Sequence, residues 1–263
     1  MGVDGRTALV TGATSGLGEA IALRLAAGGA RVAVAGRDRA RGEAVVAAIA
    51  AAGGQAQFFE HDAERIESNS ALVEAVRQRL GPVEILINNA GTMFFGPLGG
   101  HAAADFDKAM AVNLRSPFLV TQAVLGDMVE RGFGRVIFMS SNGASAGAAM
   151  TSLYAMTKAG MEGLMRALMA EFAAFGITFN AVEPGLIDTP LTATMLSDPA
   201  VRAHFAGHHP NKRVGESHEV AHAVAMLADD DAGHMQANVV TIDGGITRAI
   251  GYAVIEPPQD KQQ

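Results

Sequence analysis

The sequence predicts an α/β fold, a doubly wound parallel sheet of about seven strands with helices on both faces. Three observations carry this. Short β-rich runs alternate with longer helical patterns along nearly the whole chain, several of those runs are apolar without alternation, and a glycine cluster follows the first run directly. Strands without alternation are buried on both faces, and their regular exchange with helices is the rhythm of βαβ units. Glycine at the strand-to-helix junction permits a tight turn at the sheet edge.

In chain order the expected strands are TALV (7–10), RVAVA (31–35), QAQFF (55–59), VEILIN (83–88), RVIFMS (135–140), ITFNAV (177–182) and NVVTI (238–242). Helices are expected over 17–28, 39–52, 65–80, 104–131, 152–175 and 216–229. No linker interrupts the rhythm, so residues 1–250 are expected to form one domain and 251–263, ending in EPPQDKQQ, a surface extension. Residues 186–215 form a connection of a length that is usually functional, a candidate substrate lid. Helix 152–175 carries Met156, Met161, Leu164, Met165, Leu168, Met169 and Phe172 around most of its circumference. One apolar face covers the sheet, and the surplus calls for a symmetric helix–helix interface.

Composition excludes several classes. With 20 basic and 27 acidic residues the formal charge is −7, the wrong sign for a nucleic-acid or anionic-membrane partner. The chain has no cysteine, hence no disulfide, thiolate nucleophile or zinc-thiolate site. The opening MGVDGRTALVTG lacks a signal-peptide pattern, and no apolar run reaches membrane-spanning length, so a cytoplasmic protein is expected.

After the first strand comes TGATSGLG, with Gly12, Gly16 and Gly18 leading into an alanine-rich helix and Thr14, Ser15 and Leu17 completing the loop. Glycine lets backbone N–H groups approach a pyrophosphate, and the helix N-terminus adds partial positive charge, so a dinucleotide fits here. Asp62 and Ala63 follow the third strand, and NNAG (Asn88, Asn89, Ala90, Gly91) ends the fourth. Ligands of an open parallel sheet lie outside the carboxyl ends of the strands, which brings these residues to one edge. After the second strand the chain reads AGRD: Gly36 replaces the acid that would take the ribose hydroxyls of NAD, and Arg37 follows. The cofactor expected is therefore NADP(H) over NAD(H), with Arg37 on the 2′-phosphate and Arg39 and Arg41 reinforcing the field. The alternative is a solvated Arg37 with Asp38 on the ribose.

Tyr154, one of only two tyrosines, stands four residues before Lys158, one helical turn away on the same face. A phenol titrates near ~10, so acid–base work at neutral pH needs on the order of 4 kcal/mol of help for the phenolate, and an ammonium acts in that direction. Ser141, thirteen residues before Tyr154, ends the fifth strand with a hydroxyl able to donate to a substrate oxygen, and Asn113 can position water or backbone beside the lysine. HEVAH (218–222) matches a zinc-hydrolase motif, but its extended form needs a glycine at Ala225 and a histidine at Ala228. His204, His208 and His209 lie in the lid without supporting carboxylates, and no metal is expected.

In this order, TGATSGLG, NNAG, Asn113, Ser141, YAMTK, PG (Pro184, Gly185) with Thr189, and IDGG (242–245) resemble the short-chain dehydrogenase/reductase family, in its single-domain, 3-oxoacyl-reductase-like branch, over about residues 5–247. The resemblance implies a Rossmann-type catalytic domain, Tyr154 as general acid–base, Lys158 lowering its pKa and binding the nicotinamide ribose, Ser141 on the substrate oxygen and Asn113 supporting a relay water. It also implies cofactor contacts from Pro184, Gly185, Ile187 and Thr189, interconversion of a ketone and a secondary alcohol, and a homotetramer. Alternatives are an NAD-dependent alcohol or sugar dehydrogenase of the same family and a catalytically silent NADP-binding sensor. Asn142, Glu183 and Glu84 depart from the usual pattern without removing a catalytic group. Met93, Phe94, Phe95, Met150, Leu186, Leu191 and Met195 offer an apolar lining, which suits a small, moderately apolar substrate.

Overall fold

The computed structural model describes residues 2–249. The expected C-terminal extension, 251–263, lies outside the described residues. Seven parallel strands form the central sheet: β1 (Thr7–Thr11), β2 (Arg31–Gly36), β3 (Gln55–Glu60), β4 (Ile85–Asn88), β5 (Gly134–Met139), β6 (Ile177–Pro184) and β9 (Val239–Ile242). Their order is β3-β2-β1-β4-β5-β6-β9, so the direction of winding reverses beside β1 and opens a crevice between the ends of β1 and β4.

The buried apolar side chains of the strands alternate between the two faces, although the sequence hides it. Ala8 and Val10 of β1 pack with Ile21 and Leu25 of α1 (Gly16–Ala27), Val45 and Ile49 of α2 (Arg39–Ala51), and Val220 and Val224 of α10 (Ser217–Ala228). Leu9, between them, packs on the opposite face with Leu72 and Val76 of α3 (Ile66–Leu80), Val120 and Val124 of α5 (Ser116–Arg131), and Met161 and Met165 of α7 (Ser152–Phe172). Both faces are covered, so both sets of positions must be apolar. Glu84, an apparent oddity, accepts from the Thr7 amide and from Arg6 and ties the starts of β1 and β4 together.

Three expectations need correction. The single helix expected over 104–131 is α4 (Ala103–Met110), a π-helical turn over Ala111–Arg115, and α5. Pro117, in the first turn of α5, has no N–H to give to the carbonyl four residues back, so the regular ladder cannot pass through residue 113. The segment 186–215 is not an open loop. It holds β7 (Ile187–Asp188), α8 (Ala193–Leu196), α9 (Pro199–His208) and β8 (Gly215–Glu216), with β7 and β8 paired in a small second sheet. Asp198 caps α9 by accepting from the Ala200 amide at 2.8 Å, and Arg202 pairs with Asp188. Finally, helix 152–175 ends at Phe172 and uses most of its apolar residues internally: Met161 and Met165 are buried, Leu164, Leu168, Met169 and Phe172 pack partly buried against the core, and only Met156 is well exposed.

Candidate active site

Ser141, Tyr154, Lys158 and Asn113 converge where β4 and β5 end. Ser141 sits in extended backbone as the N-cap of α6 (Asn142–Ala146), and its Oγ accepts from the Gly143 amide at 3.2 Å. The Tyr154 phenol faces this hydroxyl. Lys158, one turn on, is 3% exposed and donates from Nζ to the carbonyl of Met139 at 2.6 Å. Asn113, fully buried in the π-helical turn, brackets the backbone of Thr92: its Oδ1 accepts from the Thr92 amide at 2.7 Å and its Nδ2 donates to the Thr92 carbonyl at 2.8 Å and to Thr157 Oγ1 at 3.1 Å. The wide turn thus turns Asn113 into a clasp between the end of β4 and α7.

Burial and hydrogen bonding act on Tyr154 in opposite senses. Burial raises the phenol above its ordinary value of 10.0, and only the Ser141 hydroxyl acts against this. The Lys158 ammonium, one turn away, is held by the Met139 carbonyl and is itself desolvated. Burial brings Lys158 down from 10.5 to about 8. At neutral pH the pair is therefore a protonated phenol beside a cation.

Across the crevice the glycine loop and NNAG are packed with no room to spare. Gly12 has φ 65°, and a Cβ there would lie 2.9 Å from Ala90 Cα. A Cβ on Gly18 would lie 2.2 Å from the Gly12 carbonyl oxygen and 2.5 Å from Asn89 Nδ2. Asn89 donates from Nδ2 to the carbonyls of Thr11 and Gly12, and the amides of Asn89 and Ala90 both donate to Thr11 Oγ1. Ser15 makes no side-chain cap on α1, which leaves the helix N-terminus to face the crevice. These features fit a bound pyrophosphate: a tight loop whose glycines allow backbone to pack on backbone, leading into a helix N-terminus without a side-chain cap. Gly16 stands at van der Waals distance from Thr189 and Pro190, so the base of the lid segment meets the loop from above.

On the ribose side, a Cβ on Gly36 would lie 2.6 Å from Thr14 Cγ2, so the threonine methyl holds the space an acidic side chain would need. Asp38 is already committed, accepting from the Arg41 amide at 3.0 Å and from Arg41 Nε at 2.7 Å. Arg39 pairs with Glu43 and Glu60 and lies over the Phe58 ring. Arg37 is exposed and, among the described residues, makes no ion pair. Asp62 accepts from the Glu64 amide at 3.1 Å, and Ala63 beside it is buried. At the far end Gly185 donates to the Ile242 carbonyl at 2.9 Å, and a Cβ on it would meet Asp243 at 2.7 Å.

The family model that matches, described as enoyl-(acyl carrier protein) reductase, covers residues 12–247. The chain is 38% identical to nodulation protein G of Azospirillum brasilense, over 92% of this chain and 98% of the relative. It is 37% identical to levodione reductase of Leifsonia aquatica, over 93% and 95%. The chain belongs to the short-chain dehydrogenase/reductase family. It is an oxidoreductase of the class that acts on CH–OH or carbonyl groups with NAD(P). Among solved structures, a gluconate 5-dehydrogenase from Burkholderia cenocepacia J2315 in complex with NADP and tartrate superposes with a TM-score of 0.89 at 29% identity, over 95% of this chain and 98% of that one.

For this reductase-family chain, sequence reasoning missed Thr11, Thr92 and Thr157, which hold Asn89 and Asn113 in place. Thr11 opens the TGATSGLG string and Thr157 stands within YAMTK, so both were visible as parts of motifs; Thr92 carries no sequence signal. The Gly96 amide donates to the Met150 carbonyl at 2.9 Å, which joins the loop of Met93, Phe94 and Phe95 to the loop before α7. Met93, Phe95 and Met150 are exposed there, and Met150 holds φ 66°, a conformation that costs a non-glycine residue energy. Leu191 and Met195 are exposed on the lid segment, and Ile187 and Leu196 are its buried anchors. The HEVAH glutamate is not free for hydrolysis. Glu219 accepts from the Glu216 amide as a helix cap and pairs with Arg213, whose hydrogen bonds are the main reason its carboxyl falls to about 2. Among the described residues no group of three or more histidines and carboxylates gathers at metal-binding distance.

Proposed function

We propose that this enzyme reduces a small, moderately apolar ketone to a secondary alcohol with NADPH, using Tyr154 as the proton donor. The observation that carries the reaction is the meeting of a protonated phenol, a hydroxyl and a buried cation at the carboxyl edge of the sheet, next to the glycine cradle. The nicotinamide supplies the hydride. Ser141 donates a hydrogen bond to the carbonyl oxygen, and Tyr154 delivers its proton to the same oxygen as negative charge develops there. Lys158 has three N–H groups, so it keeps its bond to Met139 while donating to ribose hydroxyls, and its charge offsets the phenolate that Tyr154 becomes. Asn113 holds the Thr92 backbone beside these groups and, in this reading, supports the water that reprotonates the site. Pro184, Gly185, Ile187 and Thr189 frame the nicotinamide end.

NADP preference rests on Gly36, whose neighbour Thr14 fills the acid's place, and on Arg37, a fork without a protein partner among the described residues. Asp38, the competing ribose ligand, is used up as the cap of α2. The apolar substrate follows from Met93, Phe94, Met150, Leu191 and Met195, none of which can clamp a carboxylate. The exposed face of α7, Ala159, Gly160, Gly163 and Ala167 with Met156, carries side chains small enough for a second copy to pack closely, which supports a homotetramer. The test is turnover of ketones and 2-enoyl thioesters with NADPH and NADH, and of secondary alcohols with NADP+ and NAD+. Reduction of enoyl thioesters alone, or of nothing, overturns the reading.

A further inference from the structure

Glu183 stands directly before Pro184 and takes no part in the chemistry above. It is 2% exposed and faces Glu162, which lies one turn beyond Lys158 on α7 and is 9% exposed. Two carboxyl groups buried against each other cannot both be charged without strong repulsion. Their surroundings are unequal. Glu162 Oε1 accepts from Ser140 Oγ at 2.6 Å, and its Oε2 lies 3.7 Å from Arg166. Glu183 Oε2 accepts from Ser145 Oγ and Thr241 Oγ1, each at 3.2 Å, whereas its Oε1 is buried with no donor against it. A proton on that oxygen supplies the missing donor and removes the second charge together.

We propose that Glu183 is held as a carboxylic acid whose Oε1–H donates to the Glu162 carboxylate, and that this acid–carboxylate pair positions Ser141 against Tyr154. Three parts of the site end on the pair. Ser140 and Ser145 bracket Ser141 along the chain, and both of their hydroxyls terminate here. Glu162 belongs to the helix of Tyr154 and Lys158, while Glu183 belongs to the strand that leads into Pro184 and Gly185. Among the described residues the charged groups near the pair are Arg166 and, one turn before Glu162, Lys158, both on α7. The contacts from β9 and from the segment after β5 are uncharged hydroxyls, and the face of α10 toward the core is apolar.

Burial first, with Glu162 adding to it, raises Glu183 above the ordinary carboxyl value of 4.5, against the hydroxyls of Ser145 and Thr241. A raised folded-state pKa means that the group's contribution to stability is complete below the ordinary value and is lost as pH rises through the raised one. A pH that rises through the raised value therefore sets two charges together and loosens the grip on Ser141.

This inference rests on the proposed roles of Ser141 and Tyr154, so its test has a readout without turnover. Infrared difference spectra of wild type against Glu183→Gln should show, at neutral pH, the C=O stretch of a buried carboxylic acid that the variant lacks. Glutamine keeps an acceptor for Ser145 and Thr241 and offers Glu162 an N–H that does not titrate. With levodione or acetoacetyl-CoA as probe, Glu183→Ala should lower kcat by about ten-fold with KM for NADPH within about three-fold. Glu183→Gln should restore most of that loss and flatten the alkaline fall of kcat. Ser145→Ala, which keeps both carboxyls, should fall between them and decides the matter if the alanine variant does not fold. Absence of the acid band, or glutamine as damaging as alanine, overturns the proposal. A band without turnover of any carbonyl compound supports the acid and overturns the proposed function instead.

Discussion

Lys158 Nζ donates to the Met139 carbonyl at 2.6 Å and lies 5.5 Å from the centre of the Tyr154 ring. The cation is thus anchored to the sheet before any nucleotide arrives, and desolvation leaves it titrating at about 8. Below that value it is an ammonium able to hold ribose hydroxyls; above it charge and one donor are lost. Affinity for NADPH should fall several-fold between pH 7 and 9.5, and fluorescence titration of Lys158→Met should show weak, pH-independent binding. A wild type with flat affinity over that range sinks this role for the ammonium.

The same depressed value has a stability consequence of opposite sense. The Lys158 contribution is present above its ordinary value of 10.5 and is lost as pH falls through about 8, a buried-charge penalty of about 3 kcal/mol at neutral pH. Lost hydrogen bonding to Met139 offsets part of it in a variant. Lys158→Met should therefore melt no lower than wild type at pH 7 while having lost activity. A melting point clearly below wild type would show that the bond outweighs the penalty.

Tyr154→Phe removes the oxygen and keeps the ring. Turnover should drop by about a thousand-fold or more, within the range usual for a lost general acid, with the dissociation constant for NADPH within about three-fold. Retained turnover removes Tyr154 from the mechanism.

Thr14, Gly36 and Arg37 should act together on cofactor choice. Arg37→Ala should raise KM for NADPH about ten-fold, a loss of about 1.4 kcal/mol, and leave NADH unchanged. Gly36→Asp alone meets the Thr14 methyl and should destabilise the loop, whereas Thr14→Ala with Gly36→Asp should fold and shift preference to NADH. Equal effects on both cofactors would count against the 2′-phosphate contact.

On the exposed side of α7, Ala167→Arg places a long cation where a second copy is proposed to pack. Sedimentation should report a smaller species with an unchanged melting profile at the monomer level. An assembly of unaltered mass points to a different contact surface.

The fold was legible because both-sided burial writes itself as uninterrupted apolar runs, and Tyr154, Lys158 and Ser141 were legible because their spacing survives into the geometry. What was not legible depends on contacts across the chain. Tyr154 and Lys158 both lose water on burial, and spacing alone says nothing of how much. Pro117 was in view within an otherwise helical pattern, yet its effect is a wide turn that aims Asn113 rather than a stop. Short lid elements such as α9 were signalled only by Asp198 and Pro199 at its start. Glu162 and Glu183 meet because α7 packs on β6, a pairing that neither residue's neighbours announce.

The Thr11 hydroxyl takes the amides of Asn89 and Ala90 and itself donates to the Ile87 carbonyl, so the two banks of the crevice are one rigid piece. A dinucleotide lands on a floor already tied together, while the segment of β7, α8 and α9 above it is anchored at Ile187 and Leu196 and leaves Leu191 and Met195 exposed. Kinetically this favours a compulsory sequence, nucleotide first and carbonyl compound second, and oxidised nucleotide leaving last as a competitive product inhibitor against NADPH.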